Sequence, residues 1–192
     1  MDRTTQIIYF LKEIEQFKTI QRPLARSDLE RWESDAEHSW HVAMFVLLFA
    51  KDIDPSLDLM KMLKLALIHD LVEIYAGDTF AFDDAGQLSK EDRERAAAQK
   101  LFSQLPSDFA QEFTALFEEY EVGVTTESKI VSSFDKLQPI LQNLCSEGKG
   151  WKKHNLSWEQ VDRYKRKHME HHPLILQMYE QLMMEAKERG WL

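Results

Sequence analysis

The stretch DLMKMLKLALIHDLVEIYAG, residues 58–77, decides how the rest of the chain is read. Leu59, Met60, Met62, Leu63, Leu65, Ala66, Leu67, Ile68, Leu71, Val72 and Ile74 leave almost no polar face. A helix capped by Asp58 and running to about Tyr75 therefore belongs in the middle of a domain, with neighbours all round. Gly77 is placed to end it. His69, Asp70 and Glu73 are the anomaly in its C-terminal half. Burying such groups unpaired costs on the order of 1–3 kcal/mol each, and more for a charge. Adjacent residues sit about 100° apart around a helix, and Glu73 follows Asp70 by three positions and His69 by four, so all three lean toward one flank. Without a cation they would repel or neutralise one another, and a divalent metal is the simplest resolution. The bland alternative is a core histidine bonded to a neighbouring carboxylate, because His-Asp pairs arise easily by chance.

Working outward, the periodicity is helical nearly throughout. Ile7, Phe10, Leu11, Ile14 and Phe17 form one apolar stripe. Lys18 to Asp35 is polar and reads as loop. Ser34 followed three residues later by Glu37 has the capping-box form, predicting a helix from about Ala36 to Lys51. Asp78 to Gln87 reads as a loop. Ser89 is expected to cap a charged helix to about Leu105, and Ser107 another to about Val122, closed by Gly123. A long helix runs from Thr126 to about Cys145, interrupted by Pro139. Gly148 to Gly150 reads as a flexible break. Ser157 caps a helix to about His171, and Pro173 suits the first turn of a last one that stops at Gly190. The expectation is one all-α domain over residues 1–192, a helical bundle.

Composition narrows the function. The chain has 192 residues, with 24 Lys+Arg against 33 Asp+Glu, a formal charge of −9. That balance excludes a sequence-independent nucleic-acid binder, which relies on a basic surface. The lone Cys145 excludes a disulfide framework and multi-cysteine metal sites. The longest apolar run, Val42 to Ala50, is far short of the roughly 20 residues that span a bilayer. Charged residues among the first apolar ones do not fit a signal peptide. A reducing cytoplasm, away from membranes, is the expected compartment.

Two more polar residues interrupt apolar faces. His38 sits in the first turn of the second helix, and Asp135 lies between Phe134 and Leu137, with Pro139 four residues on. His38, His69, Asp70 and Asp135 would make a set of two nitrogens and two oxygens. Such a set suits Mn²⁺, Fe²⁺, Co²⁺, Ni²⁺ or Zn²⁺ better than Ca²⁺, and leaves open positions on an octahedral ion. Lys136 beside Asp135 is the rival counter-charge.

Glu37-His38-Ser39, the run from Ala66 to Glu73, Gly77-Asp78-Thr79 and the run from Phe134 to Pro139 together resemble the HD-domain superfamily of metal-dependent phosphohydrolases, closest to its 5′-deoxynucleotidase branch. The resemblance covers most of the chain and implies His38, His69, Asp70 and Asp135 as metal ligands. It implies Glu73 as the acid beside the attacking water, Asp78 as a residue of the substrate pocket and Arg22 as a substrate contact. Pro23 follows Arg22 where that branch carries a tryptophan that helps read the sugar, a departure that leaves both deoxyribose and ribose nucleotides open as substrates. After His69 the next histidine is His154, so the inserted histidines of dinuclear members are missing and one divalent ion per chain (Mn, Co, Fe, Ni, Zn or Mg) is expected.

The expected activity is hydrolysis of a small phosphomonoester, a nucleoside 5′-monophosphate above all. A nucleotide sensor or scaffold, or a hydrolase of a non-nucleotide ester, are the alternatives. Apolar residues left over on many helices suggest a homodimer. His168, His171 and His172 read as a solvated segment rather than a metal site, and Lys90 and Arg93 as a helix face that could approach a phosphate. His41 reads as a surface or core histidine.

Overall fold

A computed structural model of the chain describes residues 1–80, 82 and 84–192. Asp2 caps α1 (Arg3–Glu13), which tightens into a 3₁₀ turn over Ile14–Thr19. Phe10 and Phe17 face the core while Leu11 stays exposed, so the first stripe is narrower than its periodicity suggests. The segment read as loop contains a small antiparallel pair, β1 (Gln21–Ala25) and β2 (Trp32–Ser34), with Gln21 opposite Ser34 and Ala25 opposite Trp32. Pro23 and the charges hide these strands from any alternation test. What holds them is tertiary: Gln142 Nε2 donates to the Ala25 carbonyl at 2.7 Å.

The capping box closes as expected, with Ser34 and Glu37 exchanging hydrogen bonds at the start of α2 (Asp35–Ile53). The apolar stretch of residues 58–77 is not one helix. It forms α3 (Leu59–Ile68), a turn, and the single-turn α4 (Glu73–Ala76), with Gly77 at φ 75° as its cap. In the turn the α-helical ladder gives way to tighter bonds, Leu71 N–H to Ile68 O and Glu73 N–H to Asp70 O, both 3.0 Å. A short α5 (Asp84–Gln87) follows; the parts of the expected 78–87 loop at positions 81 and 83 lie outside the described residues.

Then come α6 (Lys90–Phe102), α7 (Ser107–Val122), α8 (Thr126–Cys145), α9 (Lys149–Lys153), α10 (Trp158–Met169) and α11 (Pro173–Glu188). Two expected caps fail locally. Ser89 accepts from Arg93 Nε instead of capping, and Ser107 is already helical, with Pro106 ahead of it. α8 opens at Thr126 as expected, capped by Thr125, and continues through Pro139. Gly150 is buried inside α9, where an added Cβ would meet Asn143 Oδ1 at 2.7 Å. It is a packing contact, not a flexible break.

The all-α expectation holds, with the hairpin as a small addition. The centre, however, is α8 and not α3. Met60 and Leu67 of α3 reach solvent, whereas α8 packs against α2, α3, α7, α10, α11 and β1. Hydropathy misplaces the centre because α8 buries polar residues that find partners, such as Ser133 on the Lys129 and His168 carbonyls. Val42 and Val46 of α2, Met62 and Leu65 of α3, and Val131, Phe134 and Leu137 of α8 form the apolar contact among the three helices. That packing sets three rigid rods side by side, each carrying polar residues at the same level.

Candidate metal centre and its cleft

His38 owes its place to the capping box, which starts α2 so that its first turn points inward; the residue has 0% exposure. Its Nδ1–H donates to Gln138 Oε1 at 2.8 Å, and the Gln138 amide is oriented in turn by donating Nε2–H to Glu33 Oε1 at 2.7 Å. Nε2 therefore carries the lone pair, 3.1 Å from Asp135 Oδ1. His69 stands where α3 ends. Its Nδ1–H donates to the Ala66 carbonyl at 3.0 Å, the acceptor that a continuing helix would give to Asp70 N–H. The helix break thus fixes the His69 ring, and leaves a buried Nε2 with no directed hydrogen bond. That nitrogen lies 3.1 Å from Asp70 Oδ2 and 3.9 Å from Asp135 Oδ1.

Asp135 on α8 is held from behind. Its Oδ2 accepts from Tyr120 Oη of α7 and from Lys136 Nζ, the latter at 2.6 Å, so Oδ1 is turned toward the histidines. The expected rivalry between Lys136 and a metal resolves by atom: the lysine takes one oxygen and leaves the other. Outer partners of this kind, donors to the carboxylate and acceptors from the imidazole N–H groups, commonly orient metal-binding side chains.

The electrostatics fit a cation. Burial lowers the His38 pKa to about 4, so its ring is neutral and its lone pair meets a carboxylate oxygen with no proton between them. Burial opposes charge on His69, yet Asp70 and Asp135 outweigh it and raise its pKa; the local field favours positive charge at Nε2. Burial also opposes ionisation of Asp135, and Lys136 and His38 hold its pKa well below the usual range. His38, His69 and Asp135 each offer an atom within 4.8 Å of the others, a spread that one divalent ion can gather. Asp70 Oδ2 borders the group, 3.8 Å from His38 Nε2, but is shared with Arg22 Nη1 at 2.9 Å.

Arg22, on β1, belongs to a second cluster. Its guanidinium also reaches Asp35 Oδ1 at 3.4 Å and lies 4.0 Å from Glu33 Oε2. Asp35, Glu73 and Asp78 bring carboxylate oxygens within 4.8 Å of one another beside it. One arginine cannot neutralise so many acids, and burial raises Glu33 and Asp35 to about 7, Glu73 well above its ordinary value, and Asp78 in the same direction. Asp35 Oδ2 and Glu73 Oε2 are buried without a donor.

A cleft joins the two clusters, reached by His69, Asp70, Glu73, Asp78, Arg22 and Asp135. Sequence reasoning missed Glu33, Asp35, Tyr120 and Gln138. Glu33 and Asp35 flank the capping serine and look like ordinary helix-start acids; Tyr120 and Gln138 carry no spacing signal at all. Of the two tryptophans near Arg22 in sequence, Trp32 lines a shallow extension of the cleft with Arg22 and Pro23, while Trp40 is 62% exposed. Lys90 lines the cleft and pairs with Glu94 at 3.0 Å, whereas Arg93 is occupied by Ala76 O and Thr79 Oγ1. His171 bonds Ser133 and His172 caps Leu174 N–H, so the late histidines do not gather on one ion. His41 packs between Trp40 and Phe45.

The chain is similar to several known proteins. A family profile described as HD domain matches residues 14–176. The 5′-deoxynucleotidase HDDC2 of Xenopus laevis is 32% identical over 139 residues, 72% of this chain and 68% of that protein. The human 5′-deoxynucleotidase HDDC2 is 30% identical over 137 residues, 71% of this chain and 66% of that protein, so the match spans about two thirds of these relatives. Among solved structures, a predicted metal-dependent phosphohydrolase from Magnetospirillum magnetotacticum MS-1 is similar over 99% of this chain and 95% of its own, with a TM-score of 0.92 and 40% identity. A profile match over most of the chain, on helices that bring His38, His69 and Asp135 to one point, shows that this chain belongs to the HD domain family.

Proposed function

We propose that the chain is a divalent-metal-dependent phosphohydrolase that converts a small phosphomonoester, a nucleoside 5′-monophosphate, to its alcohol and phosphate, using residues 1–192 as one domain. One observation carries this reading: two imidazole nitrogens and a carboxylate oxygen, brought together by α2, the end of α3 and α8, lie within 4.8 Å of one another in the buried interior. The nucleotidase and phosphohydrolase names of its relatives support it. His38, His69, Asp70 and Asp135 would hold the ion. When bound, a divalent ion polarises a phosphoryl oxygen and acidifies water near neutral pH.

The chain's own residues do the rest. Glu73 would take a proton from the attacking water: burial and its carboxylate neighbours raise it in the metal-free site, and the charge of a bound cation would favour the ionised form that acts as base. The water oxygen bonds to phosphorus as the P–O ester bond breaks, and the leaving oxygen ends protonated. Asp78, raised by burial, lines the cleft beside Arg22 and Glu73. Arg22 offsets charge on the phosphoryl oxygens. The net charge of −9 gives no long-range attraction for anions, so binding rests on these local cations, which favours a small substrate over a nucleic-acid polymer.

One ion per chain is the stoichiometry, supported by a single histidine-containing group among the described residues. Among the described residues no helix is long and apolar enough to cross a membrane, consistent with a cytoplasmic enzyme. Leu11, Trp40 and Leu67 line an apolar groove between α1, α2 and α3, which supports pairing of two copies; sedimentation as a monomer would remove that element. The deciding assay is phosphate release from nucleoside monophosphates and other phosphate esters after chelation and re-addition of each metal. Release that stops on chelation and returns with metal is expected. Nucleotide binding without release under any metal would leave a sensor instead.

A further inference from the structure

The cleft has an aromatic end that the proposed chemistry does not use. The His154 ring, just past α9, lies 4.3 Å from the Phe80 ring with planes 34° apart. Phe80 meets Phe82 at 5.5 Å, and Phe82 meets Tyr164 of α10 at 5.2 Å. All four side chains line the same cleft as His69 and Asp135. Within this apolar row, His154 Nε2 is buried and has no hydrogen-bond partner. The acids and cations of the other end answer a phosphoryl group and its counter-charge. A wall of rings with one unsatisfied ring nitrogen answers something else, a flat heterocycle with a polar edge.

We infer that His154, Phe80, Phe82 and Tyr164 form a subsite for the nucleobase, with His154 Nε2 hydrogen-bonded to its edge. This rests on the nucleotide reading above, and it assigns base recognition to the segment after α4 together with those around α9 and α10. Every base has a π-face, so stacking on such rings tolerates all of them and the edge contact alone discriminates.

The test compares deoxyadenosine 5′-monophosphate with deoxyribose 5-phosphate, which keeps sugar and phosphate but lacks the base. Stacking a base is worth roughly tenfold to a hundredfold in affinity, and the metal-loaded wild type should favour the nucleotide in kcat/KM by that factor. His154→Ala and Tyr164→Ala should each remove most of this advantage through KM while leaving the sugar phosphate unchanged. An equal fall on both substrates, or no advantage in the wild type, overturns the subsite. Calorimetric titration of metal-free protein with deoxyadenosine gives a readout without catalysis, and binding should weaken roughly tenfold in either variant. Nucleoside binding that depends on His154 in a protein releasing no phosphate would support the subsite while refuting the hydrolase; binding indifferent to both substitutions would overturn the subsite.

Discussion

Two buried polar clusters lie side by side in this protein and differ in what faces their oxygens. Around His38, His69 and Asp135, the supporting partners stand behind the group: Gln138 Oε1 and the Ala66 carbonyl accept the Nδ1 protons of the two imidazoles, and Tyr120 and Lys136 donate to the carboxylate. His38 Nε2, His69 Nε2 and Asp135 Oδ1 face inward. Around Asp35, Glu73 and Asp78 a resident cation, Arg22, is already in place, and the surplus acids keep protons because burial raises them. The first arrangement suits a cation, and the second sets acids of raised pKa around an arginine beside it. A helix break separates them by a single residue, since His69 ends α3 and Asp70 turns toward Arg22.

The contrast can be broken from the metal side first. Asp135→Asn keeps shape but removes the charge that Lys136 and His38 stabilise; bound metal, read by elemental analysis, and turnover should be lost together. Retention of stoichiometric metal would show that Asp135 only balances Lys136. Glu73→Gln should separate the clusters cleanly, with metal retained and kcat lowered by roughly 10²–10⁴, the range of a general base. Unchanged turnover would take Glu73 out of the chemistry. Gln138→Leu leaves every proposed ligand intact but frees His38 to rotate and strands Glu33; metal affinity should fall about 10–100-fold, measured by competition with a chromogenic chelator.

The smallest effect sharpens the second cluster. Asp35 has an unfolded pKa of about 3.9 and a folded one raised to about 7, chiefly by burial and then by Asp70. Between those values the native state holds more protons than the unfolded one, so stability falls as pH rises through that window. Thermal melts of metal-free protein should therefore drop from pH 5 to pH 8, and Asp35→Asn should flatten the slope and be the more stable form at pH 8. A variant as pH-sensitive as the wild type would place the proton elsewhere.

The local signals were legible where one residue type does one job. Ser34 with Glu37, Gly77 at positive φ and Pro173 at a first turn all act through neighbours within a few positions, and each stands where expected. The hairpin of β1 and β2 was hidden because its pairing depends on Gln142, more than a hundred residues away. The central place of α8 was hidden because its buried Ser133, Gln138 and Gln142 count as polar until their partners are known. The break after Ile68 was hidden too, since nothing in an apolar run of good helix formers announces that a histidine will take the carbonyl its neighbour needs.

By itself, the sequence determined the helical class, most helix starts and the anomaly of His38, His69, Asp70 and Asp135 in apolar company, because periodicity and the cost of burying charge are local properties. Tertiary structure alone decided that Oδ1 of Asp135 faces inward and Oδ2 faces Lys136, that Arg22 shares Asp70 and that Glu33 and Asp35 are buried beside it. Those facts turn on which atom meets which across helices packed by their apolar faces, and no spacing along one chain encodes a distance between two of them.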